Sequence, residues 1–307
     1  MKTIVRKSPI DQTLQEYQQH LCSTAGLAHS TCQCWTYYAR QFLEAHFKKA
    51  RTLDWGGLTA SVLLGYFLEQ SRRYLAARLQ AMASALRSFC RFLCLSARCS
   101  QDLSVGIPRM GSGTGEDLPD YLREEQLAQL LNSCEGGTPN GQRDYAIVIC
   151  LARLGLRAGE VAPLALEDID WREGTLTLAR TKRRRERRLP LPVEVGAALV
   201  KYLRQERPAA SSRSLFLSRQ AAKTLSAESI SRVVAQGLKR TAILTPRKGA
   251  HLLRRTLASH LVQRGVSLKA VADLLGHRGL ESTMVYAKVN LPMLRQLAMP
   301  WPMGGAR

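Results

Sequence analysis

The 36 residues from His251 to Tyr286 constrain this chain more than any other stretch. They open with His251, Leu252, Leu253 and Arg254, continue as an apolar helical run to Leu261, and reach Leu274, Leu275, Gly276 and His277 before ending at Tyr286. A His and an Arg three residues apart lie one above the other on a helix, so both can reach one small anion. Gly265 ends that helix, Ser267 can cap the next, and Gly276 stops it after Leu268, Val271, Leu274 and Leu275. His277 therefore falls just past a helix end, where a side chain is free to point at a ligand. Ser282 or Thr283 can start a further short helix that carries Tyr286 and Val289.

The rest of the chain suggests what that anion is. The 307 residues allow about two domains with ample core. Lys and Arg total 45 against 24 Asp and Glu, a formal charge of +21 that points to a polyanionic partner. The excess is not a basic tail, because residues 1–110 already hold 14 basic and 6 acidic residues. Residues 1–21 carry Lys2, Arg6, Lys7, Asp11 and Glu16 with no apolar run, so no signal peptide is expected and a reduced cytoplasmic setting follows. The eight cysteines then read as small core hydrophobes, with no convergent ligand set for a metal. The apolar run from Val62 to Leu68 is too short to span a bilayer.

From about Ser8 to Ala97 the sequence reads as four helices. Asp11 or Thr13 can cap the first, Ser30 starts the second, and Thr59 with Ser61 opens the third. The fourth, from about Tyr74 to Leu95, sets Leu75, Leu79, Met82, Leu86, Phe89 and Leu93 at spacings of three and four, an amphipathic core stripe. Arg72, Arg73, Arg78, Arg87 and Arg91 fall among them with no acid between Arg72 and Arg98, which suits a solvated face or contact with a phosphate backbone. Residues 101–118, with Gly106, Pro108, Gly111, Gly113 and Gly115, are expected to form a flexible linker. No strand precedes those glycines and no Gly-Lys-Ser/Thr follows, so they are not a nucleotide loop.

The second domain, 119–307, opens with a helix capped near Asp120. Tyr145 to Leu154 is a nearly continuous apolar helix, followed by Gly155 and then Arg157. A charge directly after a buried helix must be paired or solvated, and Glu160 supplies a partner. Asp168–Trp171 and Thr175–Ala179 alternate as strands around Glu173 and Gly174. A basic hairpin follows through Arg180, Lys182, Arg183, Arg184, Arg185, Arg187 and Arg188, returning at Leu189. Beyond Tyr286, Asn290 and Pro292 can start a short helix with Leu291, Leu294 and Leu297 on one side, ended by Pro300.

Taken together, the residues resemble the catalytic region of the tyrosine recombinases, the phage integrase family. The resemblance rests on His-x-x-Arg at 251–254, Leu-Gly-His at 275–277, a tyrosine nine residues later, Leu-Arg-x-x-Glu at 156–160 and a hairpin lysine at 182, in the family's order. Glycines usually flank that lysine, and Thr181 and Arg183 stand there instead. The family implies a mainly α fold with a small β-sheet: a helical, core-binding, SAM-like domain at 8–100 and an α+β catalytic domain at 119–307. It implies Arg157, Lys182, His251, Arg254, His277 and Tyr286 as catalytic, with Glu160 orienting Arg157. Arg72, Arg73, Arg78, Arg87, Arg91, Arg183, Arg184 and Arg185 would bind the DNA backbone. Double-stranded DNA and further copies of the chain, four in a synapse, are the implied partners, with no cofactor and no metal. The terminal helix would dock on a neighbouring protomer, although the sequence alone allows it to pack on its own domain.

Such residues permit a definite chemistry. Arginine forks hold the non-bridging oxygens of a phosphodiester as charge develops, His251 accepts the phenol's proton, and the surrounding cations ease ionisation of Tyr286. Lys182 protonates the departing 5′ oxygen. Three rivals remain at this point: a metal-dependent nuclease, for which only Glu167, Asp168 and Asp170 are dense acids; a noncatalytic DNA-binding regulator; and a type IB topoisomerase.

Overall fold

The computed structural model describes residues 8–47, 52–109, 120–135, 139–178, 186–277, 279 and 281–287. The chain divides into two compact units, Met1–Gly113 and Thr114–Arg307. In the first, α1 (Pro9–Gln19) leads into a π-helical turn at His20–Thr24, followed by α2 (His29–Phe47), α3 (Ala60–Ser71) and α4 (Ala76–Leu95). The cap of α1 is Ser8, rather than Asp11 or Thr13: its hydroxyl accepts from the Asp11 amide at 3.2 Å, with Pro9 preset for the first turn. Thr59 caps α3 as expected.

The spacing along α4 turns Leu79, Met82, Leu86, Phe89 and Leu93 inward against Leu14, Tyr17, Phe42 and Leu43, each of them buried. Burying such a side chain contributes about 1.5–3 kcal/mol. Leu75, included in that stripe, lies before the helix and is exposed. The stretch read as the start of a linker belongs to this core. Leu103–Gly106 is a short 3-10 helix and Ile107 is buried. A Cβ on Gly106 would fall 2.6 Å from the Ala60 carbonyl, so only glycine permits this approach. Residues 110–119 lie outside the described residues.

Of the five arginines assigned to DNA here, Arg72, Arg73, Arg78 and Arg91 are exposed. Arg73 pairs with Glu69 at 3.0 Å and Arg78 stacks 4.0 Å over the Tyr74 ring. Arg87 differs, being half-buried and donating to the Pro108 carbonyl, so the fold uses this guanidinium to hold the 3-10 segment down.

The second unit is built around α6 (Gly141–Leu154), which is packed by α5 (Glu124–Glu135), α8 (Val193–Gln205), α9 (Ala227–Arg240) and α10 (Ala250–Gln263). Residues Ala146 to Ala152 of α6 are all buried, which is why its sequence is apolar on every side. Helix α5 begins at Glu124, four residues after Asp120; the side chain of Gln126 accepts from the Arg123 amide at 3.0 Å. One short helix, α7 (Ala158–Val161), precedes a three-stranded antiparallel sheet in the order β1 (Ile169–Asp170), β2 (Thr175–Leu178), β3 (Arg187–Pro190). Leu176 pairs with Ile169 on one side and Leu189 on the other, so these three apolar residues share the buried face. The last helices among the described residues are α11 (Leu268–Leu275) and α12 (Glu281–Met284).

All eight cysteines are free thiols. Among the described residues no helix is long and apolar enough to cross a membrane. Lys182, Arg183, Arg184 and Arg185 lie outside the described residues, as does the segment from Asn290 to Pro300.

Candidate active site

Two helix ends and one buried arginine form the centre of the site. Helix α6 ends at Gly155 with φ +63°, and α11 ends at Gly276 with φ +63°, both in the left-handed region that glycine adopts without strain. Arg254, on α10, is wholly buried; its Nη1 donates to the Gly155 carbonyl and its Nη2 to the Leu275 carbonyl, each at 2.6 Å. Carbonyls at helix C-termini carry partial negative charge and lack intrahelical donors, so the guanidinium satisfies both ends at once. Its Nε is buried with no hydrogen-bond partner among the described residues. Burial and the nearby Arg157 cation pull the Arg254 pKa down to about 10, with Glu160 opposing them.

Arg157 stands at the start of α7. Its Nη1 meets Glu160 Oε1 at 2.9 Å, while Glu160 Oε2 accepts from the Arg157 amide at 2.9 Å. The expected pair is therefore closed on itself through side chain and backbone. Burial pushes the Glu160 carboxyl up, but the Arg157 amide and the Arg157 and Arg187 guanidiniums outweigh it and hold the group below its ordinary range. Glu160 thus stays ionised among Arg157, Arg187 and Arg254, leaving the cluster with net positive charge.

His251 sits one turn before Arg254 on α10 and keeps an exposed edge. Partial burial and the guanidiniums of Arg255, Arg254, Arg157 and Arg247 hold its imidazole down to about 4. His277, just past α11, is held down to about 4 by partial burial and by Arg254 and Arg157. Its Nδ1 lies 2.7 Å from Thr283 Oγ1, and the Thr283 carbonyl accepts from the Tyr286 amide at 2.9 Å. Thr283, fully buried, therefore links the histidine to the tyrosine's turn. Tyr286 itself is 3% exposed, packed with Ala258, Val262, Val271 and Leu275. Burial raises its phenol above the ordinary value, against the pull of Arg255, Arg254 and Arg157. The expected easing of ionisation is present as a direction, but in this state desolvation wins.

His277 gives a test of these electrostatics. Its ordinary value is 6.5 and its folded value about 4, so between those pH values the unfolded chain takes up a proton that the folded chain refuses. The stabilising advantage of a neutral His277 is complete above pH 6.5 and is lost as pH falls toward 4. Thermal midpoints of the full chain and of His277→Gln, which can still bond Thr283, should converge over that window; parallel curves would contradict the depressed value.

The structure thus brings Arg157, Glu160, His251, Arg254, His277 and Tyr286 together, while Lys182 lies outside the described residues. The family model described as the phage integrase family matches residues 120–291. A putative integrase/recombinase, y4rA, of Sinorhizobium fredii is 35% identical over 297 residues, covering 96% of this chain and 72% of that protein. The chain belongs to the phage integrase family. It is a tyrosine-type site-specific recombinase. Tyrosine recombinase XerA of Thermococcus kodakarensis is 29% identical, over 93% of this chain and 94% of the relative. The fold matches XerH site-specific recombinase bound to palindromic difH substrate in a post-cleavage complex, with TM-score 0.73 and 18% identity over 98% of this chain and 91% of that one. It also matches a lambda integrase dimer bound to a COC′ core site, with TM-score 0.66 and 16% identity over 97% and 99%.

Three contributors to this recombinase's site escaped the sequence reading. The sequence sets Arg187 in the basic hairpin with no role of its own, yet the burial of β3 alternates and puts Arg187 with Leu189 on the inner side, away from Arg188 and Pro190. That period of two was the available signal. Arg255 carried no such signal beside Arg254, and Thr283 was read as a helix start alone.

Proposed function

We propose that this recombinase cuts and rejoins double-stranded DNA at a specific site through a 3′-phosphotyrosyl link, with Tyr286 as nucleophile. What carries the reading is the excess of guanidinium charge at Arg157 and Arg254 over Glu160, with both histidines and the phenol beside it. Arg157 and Arg254 hold the non-bridging oxygens of the scissile phosphate, and the charge that develops there is stabilised by donors already in place. His251, neutral at pH 7, accepts the phenolic proton as the Tyr286 oxygen bonds to phosphorus. The bond from phosphorus to the 5′ oxygen breaks, and Lys182 gives that oxygen a proton. A 5′-hydroxyl reverses these steps on the same or another strand, so rejoining needs no external energy source.

Bound phosphate offsets the guanidiniums that hold His277 down, and so would raise His277 toward the donor form while His251 stays the acceptor. Tyr286 must leave its apolar cluster to reach a phosphate, so the described state is the resting one. Relatives of similar fold have been solved with DNA, which supports double-stranded DNA as the partner. Self-association into a four-protomer synapse, backbone contacts from the first unit and a cytoplasmic location complete the proposal.

Incubating the full chain with duplex fragments flanking its own gene, and sequencing those left covalently attached, maps the site. A 3′-phosphate joined to Tyr286 is expected; duplex cleavage with no protein attached would sink the reading. Since side-chain cations supply all the charge neutralisation proposed, cleavage of the mapped duplex should continue within about 2-fold in excess chelator. A metal-dependent nuclease would lose it.

A further inference from the structure

We propose that Arg187 is a positioning residue, which ties β3 to Glu160 and to the end of α11 and so sets where Arg157 and His277 meet the phosphate. This deepens the function proposed above and rests on it. Arg187 is the first residue of β3, which pairs antiparallel with β2. Its Nη1 donates to the Leu274 carbonyl at 3.0 Å, and its Nη2 lies 3.5 Å from Glu160 Oε2. Glu160 is the carboxylate that fixes Arg157, and the Leu274 carbonyl belongs to the helix end from which His277 emerges. One guanidinium therefore touches the supports of two proposed phosphate-binding groups.

Packing at Gly276 confirms how closely the parts are fitted. A Cβ on Gly276 would collide with Arg187 Nη1 and come within 3.3 Å of its Cζ. Glycine suits this position twice, for its positive φ and because any side chain here would push the Arg187 fork from its place. A role on the DNA backbone does not fit this geometry. The Arg187 side chain is 17% exposed, with its fork turned to protein acceptors. Its neighbour Arg188 shows the contrast: 56% exposed, it donates to Thr175 Oγ1 at 2.9 Å and reaches Asp170 at 3.6 Å on the outer side.

The test uses the full chain on a nicked duplex of the mapped site, made with an ordinary phosphodiester or with sulfur replacing the 5′-bridging oxygen. A thiolate leaves without a proton, so the sulfur duplex bypasses Lys182. At saturating protein, Arg187→Met should cleave the ordinary duplex about 100-fold more slowly, the scale of loss when reacting groups are misplaced by about 1 Å. Half-saturation should stay within about 3-fold, and the sulfur duplex should show the same loss, while Lys182→Ala is restored on it. Arg187→Lys, which keeps charge but not the fork, should fall between, and it carries the same readouts if Arg187→Met does not fold. A near-normal rate would overturn the inference. So would a defect that sulfur restores, which places the action at the leaving group, or one confined to half-saturation, which makes Arg187 a DNA contact. If the unaltered chain forms no adduct on the mapped duplex, the proposed function fails rather than this inference.

Discussion

Tyr286→Phe should abolish covalent capture of DNA, lowering strand cleavage on the order of 10⁴-fold or more, the scale seen when a nucleophile is removed. The substitution takes away one oxygen and leaves the ring to fill the same space among Val262, Val271 and Leu275. The fold, the two anchored helix ends and the arginines outside the cluster are untouched, so duplex affinity should stay within about 2-fold. Cleavage is read as protein trapped on a nicked duplex of the mapped site, and affinity by mobility shift on the intact one. Both readouts are needed, because a chain that fails to bind would also fail to cut. Adduct formation by Tyr286→Phe at the normal rate would remove this phenol from the chemistry and leave the arginine cluster without its partner. The burial of Tyr286 sharpens the expectation: the raised phenol stays protonated in the resting state, so ionisation must follow engagement with the phosphate rather than precede it.

Much of this arrangement could be read from the sequence, since helices and their stops obey local rules. The spacing of His251 and Arg254 requires one helical face, and α10 supplies it; Gly155 and Gly276 mark helix ends because each takes a positive φ. What stayed hidden depends on contacts between distant segments. Nothing local says that Arg187, within a run of arginines, meets a carbonyl 87 residues away. Nor does composition say that a Gly/Pro-bearing stretch ends in a buried Ile107, for that depends on a fit against Ala60. The position of Tyr286 is legible as spacing, whereas its burial is not, since a phenol in the turn after a four-residue helix can face either way.

Arg254 carries the second large prediction, because its contributions to stability and to chemistry point in different directions. A pKa held down to about 10 means that the fold carries this charge at a cost of about 3 kcal/mol. Against that, removing the guanidinium orphans the Gly155 and Leu275 carbonyls, at about 1–3 kcal/mol each. The two effects nearly offset, so Arg254→Met should change unfolding free energy by no more than about 3 kcal/mol and leave a folded chain. Cleavage has no such compensation. A forked donor at the developing charge contributes about 10²–10³-fold in rate, and loss of the phosphate's anchoring between two helix ends adds to it. Cleavage by Arg254→Met should therefore fall at least about 10³-fold at a temperature well below its melting midpoint. Arg254→Lys should recover little, since one ammonium cannot span both carbonyls and still present a donor to phosphate. A normal rate in a destabilised variant would make Arg254 a structural clamp and nothing more. The opposite result, a stable chain that cannot cut, would mean that this buried charge is kept for the phosphate at the expense of the fold.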